Sequence, residues 1–180
     1  MSLRGAVASW SGDVLRHRPA GSSRSVVDDA YLGQVDDNRW SALGVRAYYF
    51  ALDPGVIVAE YARHIAADLP TGHTERIERD VFRVAVSLGR ALDLTDPSVV
   101  MAMGADPIGD WILDIRTTQA AAAYLLTQVP GLQGLIVPSV AFLDDHARFN
   151  LVVFRDAIDA GATFGTPVYV MRITLEAVGT

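Results

Sequence analysis

The segment YYFALDPGVIVAEYARH, residues 48–64, places one carboxylate, Glu60, where it could do chemistry. Such a carboxylate can accept a hydrogen bond from a substrate hydroxyl and stabilise positive charge that develops on a substrate. Glu60 could equally be a surface charge that pairs with His64, one helical turn later, for a few tenths of a kcal/mol. The local sequence leaves both interpretations open.

The basic residues are the second chemical resource of the chain. All 15 of them are arginine, and there is no lysine. A GC-rich coding bias is the plainer explanation, but a guanidinium fork matches phosphate oxygens, so a few converging arginines would suit an anionic small ligand. The net charge of -6 argues against a nucleic-acid-binding surface, which needs clustered positive charge.

Several common site motifs are absent from the sequence. It contains no GxGxxG segment, no Walker A lysine loop and no GxSxG nucleophile elbow. The 4 histidines are scattered without metal-ligand spacing, so we expect no metal site. The lack of cysteine excludes disulfides, thiolate metal sites and a cysteine nucleophile.

Hydrophobic patterns predict the elements that would hold Glu60. VRAYYFAL, residues 45–52, is rich in aromatic residues and predicts a strand. Asp53 is then suited to cap a helix with Pro54 at its first position, and the apolar stripe continues to about Asp68. This strand–turn–helix connection would place Tyr49 and Glu60 on adjacent elements.

The rest of the sequence predicts short strands and helices in an irregular order. Further strands are predicted at 81–88 and in the segments LIVPSVAF, FNLVVF and TPVYVMRITL. A short helix is predicted in LDLTDPSVVMAMG, and a longer one over 116–129 with Thr117 or Thr118 as its cap. The first forty residues and LPTGHTERIERD are predicted to be irregular. Because regular βαβ alternation is missing, the sequence predicts the α+β class, with mixed strands and flanking helices.

Length and composition indicate one folded domain over residues 1–180. Half of the residues are apolar, and no apolar run approaches the ~18 residues of a membrane span. The N-terminal segment lacks the hydrophobic core of an export signal. We therefore expect a cytoplasmic protein that does not associate with membranes.

A set of segments follows the order of a known family pattern. The segments are LRHRP, NRWSALGVRAYYFALDPGVIVAEYARH, DPIGDWILDIRTTQAAAAYLL, GLQGLIVPSVAF and FNLVVF. Their order and spacing resemble the RES domain, a family named for its arginine, glutamate and serine, over about residues 14–155. The chain departs from the usual pattern at Asp37-Asn38, which replaces Gly-Gly, and at His17, which replaces a tyrosine.

The resemblance implies a set of site residues. Arg16 corresponds to the first family arginine and Arg39 to the arginine of the Arg-Trp step, while Tyr49, Glu60 and Ser139 correspond to the family tyrosine, glutamate and serine. The implied catalytic residues are Glu60, Arg16 and Ser139. All five residues of the set, including Arg39 and Tyr49, are implied to contact NAD+. In such a site the arginines would grip the pyrophosphate.

The remaining roles concern the nicotinamide end of NAD+. Tyr49 would stack on the nicotinamide ring, and Glu60 would accept from a ribose hydroxyl and stabilise the oxocarbenium ion. Ser139 would either hydrogen-bond the ribose or set Glu60. His64 would be a neighbour of Glu60 with no assigned role.

The resemblance also implies a fold, an activity and partners. Known members have an ADP-ribosyltransferase-like core, use NAD+ and act as toxins of bacterial toxin–antitoxin pairs. The expected reaction is phosphorolysis to nicotinamide and ADP-ribose 1″-phosphate, with inorganic phosphate as co-substrate and no metal. Arg18 or Arg46 could bind that phosphate. The expected protein partner is a helix-turn-helix antitoxin.

Two alternative functions follow from the same resemblance. The chain could be a protein mono-ADP-ribosyltransferase, if a protein side chain rather than phosphate attacks the ribose. It could also be a non-catalytic NAD+-binding module, if the loss of Gly-Gly before Arg39 has disabled the chemistry.

Overall fold

The computed structural model describes residues 2–30, 32–33, 38–42, 44–107, 110–143, 145 and 147–178, without the side chains of residues 64, 66–68 and 177. The strands are β1 (Ala8–Pro19), β2 (Ala47–Ala51), β3 (Thr74–Asp93), β4 (Gly134–Pro138), β5 (Phe149–Phe154), β6 (Thr163–Phe164) and β7 (Val168–Val178). The helices are α1 (Pro54–Asp68), α2 (Pro97–Ala102), α3 (Ile115–Gln128) and α4 (Asp156–Asp159). Short 3-10 helices span Leu3–Ala6 and Asp110–Leu113.

The strands form one mixed sheet that closes on itself. The pairing order runs β1-β2-β5-β4-β3, and the sheet closes because β3 also pairs with β1. β3 and β4 are parallel, whereas the other pairs are antiparallel. β6 and β7 pair with β3. Helices flank this sheet, so the fold is α+β, as the sequence predicts.

β5 is the central strand, and the core covers both of its faces. Leu151 and Val153 pack with apolar residues of β1, β3 and α4. Val152 and Phe154 pack on the other face, against α2 and α3. Burial on both faces explains why FNLVVF is a nearly continuous apolar run rather than an alternating one.

The helix that carries Glu60 begins where the sequence predicts. The Asp53 side chain accepts a hydrogen bond from the backbone N–H of Val56 at 3.1 Å, and Pro54 occupies the first turn. Val56 and Ile57 are buried against β1, β2 and β3. This packing fixes α1 over one end of the sheet and determines which way Glu60 faces.

Two segments that were predicted to be irregular are strands. β1 occupies residues 8–19 of the polar N-terminal region and pairs with β3 along its length. The first half of β3, Thr74–Asp80, pairs with β7 although most of its side chains are exposed. In both cases backbone pairing with distant segments stabilises a strand that has little apolar patterning of its own.

The cap of α3 also differs from the prediction. Asp114, rather than Thr117 or Thr118, caps the helix, accepting from the backbone N–H groups of Arg116 and Thr117. The Thr117 hydroxyl donates to the same carboxylate, and the Thr118 hydroxyl bonds backbone carbonyls of the preceding turn. Within the residues that the structure describes, no helix is long and apolar enough to cross a membrane.

Candidate functional site

One cavity of about 630 Å³ lies where β1, β2, α1 and the segment 38–40 meet. Its volume lies within the range of roughly 300–1,000 Å³ typical of small-molecule sites. The sequence-predicted residues Arg16, Arg39, Tyr49 and Glu60 line it. Ser139, the remaining one, is fully buried behind Glu60.

The Glu60 carboxylate is held at the wall of this cavity by two neutral donors. The Ser139 hydroxyl donates to Oε1 at 2.6 Å, and the Asn150 amide Nδ2 donates to the same oxygen at 3.2 Å. Among the described side chains, none forms an ion pair with Glu60. The His64 side chain lies outside the described part of the chain, so its pair with Glu60 stays a prediction. The two neutral donors fix the orientation of the Glu60 carboxylate.

Ser139 is placed by the turn that follows β4. Its backbone N–H donates to the carbonyl of Arg148 at 3.1 Å, and its hydroxyl oxygen accepts from the N–H of Ala141 at 3.3 Å. These contacts orient the hydroxyl proton toward Glu60. Because Ser139 is completely buried, this geometry favours the role of setting Glu60 over contact with a ribose.

Tyr49 holds the segment that carries Arg39. Its hydroxyl accepts from the backbone N–H of Trp40 at 2.9 Å and lies 3.0 Å from the Ser41 hydroxyl. The register places Tyr49 opposite Val152 of β5. Tyr49 therefore lies in the middle of β2, and its hydroxyl joins the sheet to the loop.

Arg39 is partly buried, and its side chain reaches the 3-10 helix Asp110–Leu113. Its Nη1 donates to the carbonyls of Ile112 and Leu113 at 2.6 and 2.9 Å. Burial and the nearby Arg63 lower the pKa of the Arg39 guanidinium, while Glu60 acts in the opposite direction. Within the described part of the chain, no hydrogen-bond partner is recorded for the other N–H groups of the guanidinium.

Arg16 lies apart from this arrangement, although it contributes to the cavity wall. Its guanidinium is 5.0 Å from the ring centroid of Tyr48 and 5.7 Å from that of Phe50. Since side chains alternate along a strand, Arg16 points away from the face on which Leu15 and His17 meet α1. Burial lowers the pKa of Arg16 to about 10, and its buried Nη1 has no hydrogen-bond partner among the residues that the structure describes.

The two arginines suggested for phosphate lie elsewhere. Arg18 bonds the carbonyl of Arg24 and packs over the Phe82 ring, with 4.5 Å between guanidinium and centroid. Arg46 pairs with Asp156 at 3.3 Å. Neither residue lines the cavity, whereas Arg63 of α1 does.

Sequence reasoning missed several residues of the site. Two of them are Asn150, which donates to Glu60, and Gln119. The Gln119 amide donates to the carbonyl of Asn38 at 3.0 Å and so supports the Arg39 segment. His17 packs against Tyr61 with 4.7 Å between ring centroids, and burial, Arg79 and Arg16 lower its pKa to about 4. The polar Asn150 inside the apolar segment FNLVVF was a signal that could have been used.

The structure offers no support for a metal centre within its described residues. There, no group of three or more His, Asp and Glu side chains is arranged to hold a metal ion.

The Tyr49 contacts predict a measurable effect on stability. In Tyr49→Phe the ring remains, but the buried N–H of Trp40 loses its acceptor, so the free energy of unfolding should fall by about 1–3 kcal/mol. Urea denaturation of the variant and the wild type measures this difference. Tyr124→Phe, on the exposed surface of α3, is the matched control and should leave the stability unchanged. Equal stability of all three proteins would show that the Tyr49 hydroxyl does not hold the loop.

Comparisons with known proteins agree with this fold. A family model for the RES domain matches residues 13–175. The chain is also similar to a chain of the crystal structure of the M. tuberculosis MbcT-MbcA toxin-antitoxin complex, with 20% sequence identity and a TM-score of 0.56. That similarity covers 94% of this chain and 86% of the other. A search of the curated proteins gave no significant match.

Proposed function

The chain belongs to the RES domain family, and we propose that it is an enzyme that degrades NAD+ by cleaving the bond between nicotinamide and ribose. The proposed reaction is phosphorolysis, in which a phosphate oxygen attacks the anomeric carbon as the bond to nicotinamide breaks. The products are nicotinamide and ADP-ribose 1″-phosphate. We propose that residues 1–180 form the single domain that carries out this reaction.

The observation that carries the proposal is the fixed carboxylate of Glu60 inside a cavity that also contains arginine. Hydrogen bonds from Ser139 and Asn150 orient the carboxylate, and the Arg39 guanidinium lines the same cavity. A dinucleotide needs both features, because its pyrophosphate is anionic and its ribose becomes cationic during cleavage. The volume of about 630 Å³ accommodates much of such a ligand.

Glu60 would act on the charge that develops during cleavage. As the pyridinium leaves as a neutral ring, positive charge moves onto the ribose. A preoriented carboxylate stabilises that charge without reorganising, and this is usually a large contribution to catalysis. Ser139 would contribute by orienting Glu60.

Arginine would bind the anionic parts of the reactants. Arg39 is placed to grip the pyrophosphate, since its guanidinium matches phosphate oxygens. Arg63 lines the same cavity, and its guanidinium would bind the phosphate co-substrate there. Arg16 would contribute to NAD+ binding only if its guanidinium leaves the rings of Tyr48 and Phe50.

The proposed biological role is that of a toxin controlled by an antitoxin. Family membership and the similarity to a chain of a toxin–antitoxin complex support this role. The antitoxin would be a helix-turn-helix protein that blocks the cavity until it is removed.

Product identification tests the proposal and separates it from its alternatives. Purified protein is incubated with NAD+ and phosphate, and the products are identified by mass spectrometry. Nicotinamide with ADP-ribose 1″-phosphate is expected. Free ADP-ribose would indicate hydrolysis, and a labelled protein in lysate would indicate a mono-ADP-ribosyltransferase. Thermal stabilisation by NAD+ without any product would indicate a non-catalytic binding module.

A further inference from the structure

Asn150 is a polar residue in an otherwise apolar part of the sheet. It lies on β5 opposite Ala51 of β2 and opposite Val137 of β4. The next residues of β5, from Leu151 on, are buried and apolar. Asn150 itself lines the cavity. A polar amide at this position needs hydrogen-bond partners, because leaving it unpaired would be unfavourable.

The partner that Asn150 finds is the carboxylate of Glu60. Its Nδ2 donates to Oε1 at 3.2 Å, and the Ser139 hydroxyl donates to the same oxygen at 2.6 Å. Two donors on one oxygen, coming from different directions, define the orientation of the carboxylate group. Among the residues that the structure describes, the hydrogen bonds to Glu60 go to Oε1, and none is recorded to Oε2.

We infer that Asn150 is a positioning residue that, together with Ser139, fixes Glu60 so that Oε2 serves as the acceptor for the substrate. This inference rests on the proposed function, since it assigns Asn150 a part in the same reaction. Asn150 acts through Glu60 and not on the substrate itself.

An amide suits this position because it donates a hydrogen bond without adding charge. The other titratable or charged side chains that line the cavity are Arg16, His17, Arg39, Tyr49, Tyr61 and Arg63. The neutral side chains that contact Glu60 are Ser139, from the turn after β4, and Asn150, from β5. A second carboxylate at position 150 would repel that of Glu60, and the two groups would titrate as a coupled pair.

The substitution Asn150→Asp tests the inference, because it changes charge and donor ability with little change in size. Above neutral pH, kcat should fall about 100-fold with a smaller change in KM, since Glu60 is repelled and loses a donor. On acidification from about pH 8 to about pH 5.5, the rate relative to wild type should rise several-fold, because the protonated carboxyl can again donate. Asn150→Leu, which cannot donate at any pH, should lower kcat about 10-fold without this rise.

Gln128→Glu is the matched control for the change from amide to carboxylate. Gln128 is exposed at the end of α3 and does not line the cavity. The ratio of the variant's rate to the wild-type rate should therefore stay near one across the same pH range. A constant ratio for Asn150→Asp, or wild-type kcat in Asn150→Leu, would overturn the inference.

A measurement without substrate separates this inference from the proposed function. The glutamates of the chain are Glu60, Glu75, Glu78 and Glu176, so glutamate labelled with ¹³C at the carboxyl gives a simple NMR spectrum. Glu60→Gln identifies the Glu60 signal. In Asn150→Asp, that signal should titrate at higher pH than in wild type, whether or not NAD+ is cleaved. If wild type does not cleave NAD+ but the shift occurs, the proposed function fails and the contact stands; an unshifted titration refutes the contact.

Discussion

Replacing Glu60 with glutamine should lower the rate of nicotinamide release from NAD+ by about 10²–10³-fold. The substitution keeps the size of the side chain, and the new amide oxygen can still accept from Ser139 and Asn150. It removes the negative charge that would stabilise the developing oxocarbenium ion. The loss should therefore appear in kcat, with KM much less affected.

The matched control for this experiment is Glu176→Gln. Glu176 is exposed on β7 and does not line the cavity, so the same chemical change there should leave turnover unchanged. Circular dichroism should show all three proteins folded. Undiminished turnover in Glu60→Gln would show that the carboxylate charge has no part in the reaction.

Arg39→Lys should raise KM for NAD+ and lower kcat/KM by about 10–100-fold. The guanidinium of Arg39 bonds two backbone carbonyls through Nη1, and in the proposed site its other N–H groups would bond phosphate oxygens. A lysine ammonium has three donors on a single atom and cannot span both sets of acceptors. Because this interaction serves binding before and during cleavage, kcat should change less than KM.

Steady-state kinetics with NAD+ as the varied substrate measures this effect. Arg90→Lys is the control, since Arg90 is exposed at the far part of β3 and does not line the cavity. Unchanged kcat/KM in Arg39→Lys would contradict a role for Arg39 in binding the pyrophosphate.

The helix that carries Glu60 could be predicted from the sequence because the residues that start it are adjacent in the chain. Asp53 and Pro54 are strong helix-start residues, and the observed cap uses them as expected. The apolar run of β5 was equally clear from the sequence. Family resemblance then singled out Arg39, Tyr49 and Glu60, and these residues do line one cavity.

The rest of the site depends on long-range pairing that the sequence does not display. β1 is polar, and its strand conformation comes from pairing with residues of β3 that lie 60 to 83 positions later in the chain. That pairing also determines that Arg16 faces the Tyr48 and Phe50 rings, which its residue type alone could not indicate. Asn150 meets Glu60 only because β5 lies between β2 and β4.

Cleavage of NAD+ in the cavity around Glu60, the activity that we propose, can be measured directly. The most direct measurement follows NAD+ in phosphate buffer with the purified wild-type protein, using proton NMR for nicotinamide and phosphorus NMR for the sugar phosphate. We predict that nicotinamide and ADP-ribose 1″-phosphate accumulate in equal amounts as NAD+ disappears. NAD+ that stays intact over a long incubation with folded, inhibitor-free protein would refute the proposed function.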